Sequence, residues 1–122
     1  MKDYYLVKER LKDLVDKLNE EEEAIVIVEG RRDREALKAL GYRGSLIEFC
    51  KEKSLDNLIL TLKNYKKAIL LLDLDEQGKA LTAKLTRILT GHIKVDLFYR
   101  KKLREIGKGK ITTVQNLLKY SF

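Results

Sequence analysis

Ala24-Ile25-Val26-Ile27-Val28 is an unbroken apolar run, set between the acidic stretch Glu20–Glu23 and the pair Glu29-Gly30. Four of its five residues are β-branched. A short, continuous run of this kind reads as a strand buried on both faces. Working outward, Ala68 to Leu72 repeats the pattern and ends in Asp73-Leu74-Asp75. Ser45 to Phe49 reads as a strand between these two, and Ile93 to Tyr99 alternates as a fourth. Between them lie stretches with helical spacing. Arg32 to Leu40 has Ala36, Leu37 and Leu40 inward and Gly41 as its stop signal. Ser54 to about Tyr65 has Ser54 as N-cap, and Gln77 to Leu89 is closed by Gly91. Asp3 to about Asn19 is an amphipathic helix. Strands alternating with helices imply right-handed crossovers and a parallel sheet covered on both faces. The expected organisation is an N-terminal helix and acidic connector over 1–23, an α/β core over 24–99, and a basic segment with a short last helix over 100–122. Thr112 and Gln115 form the capping-box signature of that last helix, at about 113–120.

The chain has 122 residues, 44 % hydrophobic and 37 % charged, which suits one globular domain with a real core. No apolar run approaches the roughly 20 residues of a membrane span. Met1 to Tyr5 lacks the apolar stretch of a signal peptide. One cysteine, Cys50, leaves no internal disulfide and no cysteine-rich zinc site. A cytoplasmic location is expected. The formal charge is +7. Residues 1–23 hold five basic and eight acidic side chains, so the remainder carries +10. Such a field suits a polyanion, while a heavily charged thermophile-like surface would look the same.

In doubly wound sheets ligands bind beyond the carboxyl ends of the strands. At those ends stand acids: Glu29 after the first strand, Asp73 and Asp75 after the third. In extended backbone Asp73 and Asp75 point the same way. If the first and third strands are neighbours, Glu29 faces the pair. Three carboxylates around one point suit Mg²⁺, which takes few carboxylates, several waters and a phosphate; zinc would want nitrogen and sulfur. Taken singly, Asp75 also reads as the cap of the next helix and Glu29 as a solvated turn acid.

Two motifs, an apolar strand with Glu29-Gly30-x-x-Asp33 and an apolar strand with Asp73-x-Asp75-x-x-Gly78, resemble the Toprim domain. That domain is shared by topoisomerases, bacterial-type primases, a class of nucleases, RecR and the maturation nuclease of 5S ribosomal RNA. The likeness covers about residues 24–99, and the short length is most similar to the small stand-alone, archaeal-type Toprim proteins. The resemblance implies a three-layer α/β/α, Rossmann-like fold. It also implies Glu29 as general acid/base or metal ligand, Asp73 and Asp75 as Mg²⁺ ligands, and Gly30 and Gly78 in close approach to phosphate. Asp33 would support the glutamate turn. Lys79 is similar to the basic residue that often follows this glycine.

A shared metal site needs the strand order 2-1-3-4, all parallel, and that order is expected. The expected function is Mg²⁺-dependent (or Mn²⁺-dependent) processing of nucleic-acid phosphodiesters by a small hydrolase, a nuclease, with RNA ahead of DNA. The alternative is a non-catalytic binding or adaptor module that uses metal for phosphate contact. Arg31, Arg32 and Lys79 stand beside the site as a phosphate clamp. Arg100, Lys101, Lys102, Arg104, Lys108 and Lys110 add a basic, irregular tract after the fourth strand. No membrane partner is expected. The small surface points to a homo-oligomer or a larger nucleoprotein assembly. Phe98 and Tyr99 offer either a stacking face or core. Cys50 is expected buried or half-buried, and His92 on the opposite edge carries no chemistry.

Overall fold

The computed structural model describes residues 2–107 together with 116, 117 and 120. Four parallel strands, β1 (Ala24–Val28), β2 (Ser45–Glu48), β3 (Lys67–Leu70) and β4 (Lys94–Asp96), form one sheet in the order β2-β1-β3-β4. This is the α/β class and the strand order expected from the sequence. Around the sheet lie α1 (Lys2–Asn19), α2 (Arg31–Ala39), α3 (Leu55–Leu62), α4 (Glu76–Leu89) and α5 (Phe98–Gly107).

Strand alternation sorts the core into two layers. Val26, Val28, Ile69 and Leu71 face one side, with Leu11, Val15 and Leu18 of α1, Ala36 and Leu37 of α2, and Tyr99 and Leu103 of α5. Ile25, Ile27, Ala68, Leu70 and Leu72 face the other, with Leu58 and Leu62 of α3 and Leu85 and Leu89 of α4. Both faces of β1 are therefore covered, which is why its sequence is uniformly apolar rather than alternating. Beyond its last paired residue β3 runs on: the Leu71 N–H still donates to the Ile27 carbonyl at 2.9 Å. The chain thus reaches Asp73 alongside the end of β1.

Two expectations at the fourth strand are corrected. β4 stops at Asp96, and 98–107 is a helix where an irregular tract was expected. The Asp96 Oδ1 accepts from the Phe98 N–H at 2.7 Å, so the side chain turns the strand directly into α5. Tyr99, Leu103 and Ile106 have helical spacing and pack into the core, while Lys101, Lys102 and Arg104 lie on the exposed face. Thr112, Gln115, Lys108 and Lys110 lie outside the described residues, as does most of the expected last helix. Among the described residues no helix is long and apolar enough to cross a membrane.

Candidate metal and nucleic-acid site

Glu29 and Asp73 meet because β1 and β3 are neighbours and each acid immediately follows its apolar run. The Glu29 Oε1 accepts from the Asp73 N–H at 3.4 Å, across 44 residues of sequence. Both residues line a cleft of about 380 Å³ with Gly30, Arg31, Arg32, Asp33 and Cys50. Asp33 is buried; its Oδ2 accepts from the Gly30 N–H at 3.0 Å and fixes the β1–α2 turn. That is the supporting role expected of it.

Asp75 is half committed elsewhere. It is the N-cap of α4, and its Oδ1 accepts from the Gly78 N–H at 2.7 Å. Gly78 is buried, and a Cβ built on it would stand 1.9 Å from the Asp73 carbonyl oxygen. The close approach this glycine permits in the structure is to the chain's own backbone. A Cβ on Gly30 would meet only the Cys50 Sγ, at an ordinary 3.7 Å.

Among the described residues no three His, Cys, Asp or Glu side chains converge as a closed metal cage. The donor chemistry nonetheless fits a hard divalent ion. Glu29 and Asp73 present oxygen ligands at one cleft, with Asp75 two residues on. Mg²⁺ is satisfied by one or two carboxylates when water and phosphate oxygens complete its octahedron.

The expected basic tract splits by helix face. Arg100, Lys101 and Arg104 line a groove of about 420 Å³ with Thr82, Leu97 and Phe98. Lys102 turns away, pairs with Glu105 at 3.4 Å and lines the α1–α5 groove with Lys17. Arg100 departs most from expectation. Only 7 % exposed, it points inward rather than to a ligand. Its Nε donates to the Leu72 carbonyl at 3.2 Å and its Nη2 to the Asp73 carbonyl at 2.7 Å. Burial, then Arg104, lower its pKa, whereas Asp75, Asp73 and Glu29 hold it up. The guanidinium remains charged. Lys79, Arg31 and Arg32 are exposed, and Arg31 pairs with Glu35 at 3.0 Å.

Over 109 residues the chain is 39 % identical to a UPF0292 protein of Thermococcus onnurineus, spanning 88 % of this chain and 80 % of that protein. The chain belongs to the UPF0292 family. A second UPF0292 protein, from Methanosarcina barkeri, is 36 % identical over 118 residues, 92 % of this chain and 80 % of that one. No model of a known domain family matches the sequence. A solved structure of a protein from Aquifex aeolicus superposes with a TM-score of 0.74 at 26 % identity, covering 87 % of this chain and 96 % of that one.

In this UPF0292 chain two further residues stand at the carboxyl edge: Cys50, whose expected burial is corrected, and Glu48, which the sequence reading missed. Cys50 is exposed at the mouth of the acid cleft, not buried; its N–H donates to the Glu29 carbonyl at 2.9 Å within the 3₁₀ turn Phe49–Lys51. Glu48, the last residue of β2, is 5 % exposed. Its Oε2 lies 3.5 Å from Arg34 and 3.6 Å from Lys51, and its Oε1 has no hydrogen-bond partner among the described residues. A glutamate ending a strand in register with Val28 is the one sequence signal that could have marked it. Tyr99 is core, whereas Phe98 is exposed beneath the Lys17 ammonium, 4.5 Å from its ring centre.

Proposed function

We propose that this UPF0292 protein is a Toprim-type, Mg²⁺-dependent nucleic-acid phosphodiesterase, a small nuclease. The observation that carries the reading is the contact of the Glu29 carboxylate with the Asp73 backbone at the ends of two adjacent strands. It gathers hard oxygen ligands at a cleft whose rim carries Arg31 and Arg32. Glu29 and Asp73 would hold the ion, with Asp75 reaching it through its uncapped oxygen or a water. The metal would supply Lewis-acid stabilisation and an activated water. The residues themselves do the rest. Arg31 and Arg32 on one side, and Lys101 and Arg104 on the other, bind the phosphate backbone. Glu29 is placed to accept or return a proton at its free oxygen.

A second reading rests on the absence of a three-acid cage among the described residues. Two carboxylates with a phosphate can hold Mg²⁺ for binding alone, which makes a metal-assisted nucleic-acid-binding module. Incubation with structured RNA, single-stranded DNA and duplex DNA, with Mg²⁺ or with chelator, separates the two. Cleavage that chelator and Asp73→Asn abolish selects the enzyme, with RNA expected as the better substrate. Metal-dependent binding without product selects the module. Neither binding nor cleavage of any of the three removes both readings.

A further inference from the structure

Asp73 is gripped at both of its peptide groups. Its N–H faces the Glu29 carboxylate and its carbonyl accepts from the Arg100 guanidinium, a residue 27 positions later on α5. The same carbonyl abuts Gly78, where a Cβ has no room. Leu72 and Asp73 lie just beyond the last paired residue of β3, and the carbonyls of both accept from the Arg100 guanidinium. Arg100 serves both from one planar fork, Nε to Leu72 and Nη2 to Asp73, which a lysine ammonium cannot reproduce. No carboxylate lies within ion-pair distance of it among the bridges found in the described residues. Its bonds go to backbone, although the charges of Glu29, Asp73 and Asp75 all act on it.

The residue shares its helix turn with Lys101 and Arg104, which it joins in lining the basic groove. We infer that Arg100 is the positioning residue of the acid site: it holds the Asp73 peptide in place and ties the nucleic-acid-binding helix α5 to the metal-binding edge. This deepens the proposed function and rests on it only for the metal. A polyanion held by Lys101 and Arg104 then steadies Asp73 through Arg100. Linkage makes the effect reciprocal, so oligonucleotide and divalent ion each raise the other's affinity.

The test compares the full chain with Arg100→Lys, Arg100→Met and Asp73→Asn. Mn²⁺ affinity is measured by thermal shift, with and without a short single-stranded oligonucleotide. Mn²⁺ protection of Cys50 against alkylation is measured alongside, because that thiol lines the same cleft. Amide exchange at Asp73 is followed by NMR. Arg100→Lys is expected to stay folded, to weaken Mn²⁺ by about tenfold or more, and to lose the mutual enhancement. Its Asp73 amide should exchange at least about tenfold faster while the Val26 and Ile69 amides keep their rates. If Arg100→Met does not fold, Arg100→Lys carries the comparison alone. A folded Arg100→Lys whose Asp73 amide exchange and metal affinity both match the parent overturns the inference. A parent that shows no Mn²⁺ effect, together with an accelerated Asp73 amide in Arg100→Lys, refutes the metal reading and keeps Arg100 as the positioning residue.

Discussion

Gly78→Ala adds one methyl group at the point where α4 meets the end of β3. The added carbon would sit 1.9 Å from the Asp73 carbonyl oxygen, 2.5 Å from its carbonyl carbon and 2.9 Å from its Cα. To reach even 3.0 Å from the oxygen, α4 and the β3 end must part by about 1.1 Å. The obstacle is backbone, so no side-chain rotation relieves it. Overpacking of this sort costs about 1–3 kcal/mol. Against it stands alanine's better helix propensity, worth about 1 kcal/mol at most in a helix interior and less in a first turn. Strain wins, for a net loss of about 1–2 kcal/mol, or about 3–12 °C in Tm for a chain this size. Urea unfolding followed by circular dichroism gives the free energy. Gly91→Ala is the control, because a Cβ there meets nothing within 4 Å; it should be neutral or stabilising by up to about 1 kcal/mol. A Gly78→Ala protein as stable as the parent would show that α4 does not press on Asp73, and the geometry of the acid cleft would fall with it.

Asp73→Asn should leave the metal-free protein as stable as the parent or slightly more so, since one clustered negative charge is gone; differential scanning with and without Mn²⁺ should show the metal-dependent rise in Tm abolished. Asp75→Ala should cost about 1 kcal/mol by removing the α4 cap, while Asp75→Asn, itself a good cap, should cost little by the same urea assay. Lys101→Ser with Arg104→Ser should make the log–log salt slope of oligonucleotide binding shallower by about 1.4–1.8 units if both cations touch phosphate; Lys66→Ser, a cation paired with Glu23 at the other end of the sheet, should not change it. Burial, and Tyr65 beside it, push the Tyr42 hydroxyl up to about 12 from 10. A raised pKa means stability that is complete below pH 10 and is lost as pH climbs towards 12. Tyr42→Phe should flatten that part of the urea-stability profile, although it also removes the hydroxyl's bond to the Ser45 carbonyl.

The legible part of this fold was the part where a single physical signal dominates. Uninterrupted apolar runs at 24–28 and 68–72 could be only double-faced strands, and the acids that end them had to lie at one edge once the strands were neighbours. Helix α5 was hidden because two signals overlap. Its core stripe of Tyr99, Leu103 and Ile106 is thin, and the cations between suggest a solvated loop. Arg100 shows the limit most sharply. In sequence it is one of six bases in eleven residues, equal to Lys101 and Lys102. Its separate fate depends on α5 starting at Phe98, which turns residue 100 inward and 102 towards α1. One-residue phase on a helix is a 100° rotation, and composition does not carry phase. Gly78 was singled out for a close approach, and the one the structure shows is to the Asp73 carbonyl, because a glycine in sequence does not say whose atoms come close.

Net charge alone is a poor guide to where a polyanion would meet this molecule. The acidic surplus of residues 1–23 is partly spent at the amino end of the sheet. There Glu21 pairs with Lys67 at 2.6 Å, Glu23 with Lys66 at 3.0 Å, and the Tyr99 hydroxyl donates to Glu21. The carboxyl end carries Arg31, Arg32, Lys101 and Arg104 around the acid cleft and the adjoining groove. The five residues of β1 separate the two ends by about 16 Å at 3.3 Å per residue. That is about twice the roughly 8 Å Debye length at physiological salt. The two ends are therefore screened from one another, and the acids of the amino end do not cancel the cations of the other. The field a nucleic acid would meet there is local: Arg31, Arg32, Lys101 and Arg104 near the carboxylates of Glu29 and Asp73. Cations so placed would draw phosphate in while the carboxylates repel it, and the divalent ion proposed at Glu29 and Asp73 would reverse that repulsion. Binding at this edge should therefore strengthen with Mg²⁺ even as it weakens with monovalent salt, a pairing of opposite trends that a merely basic surface does not produce.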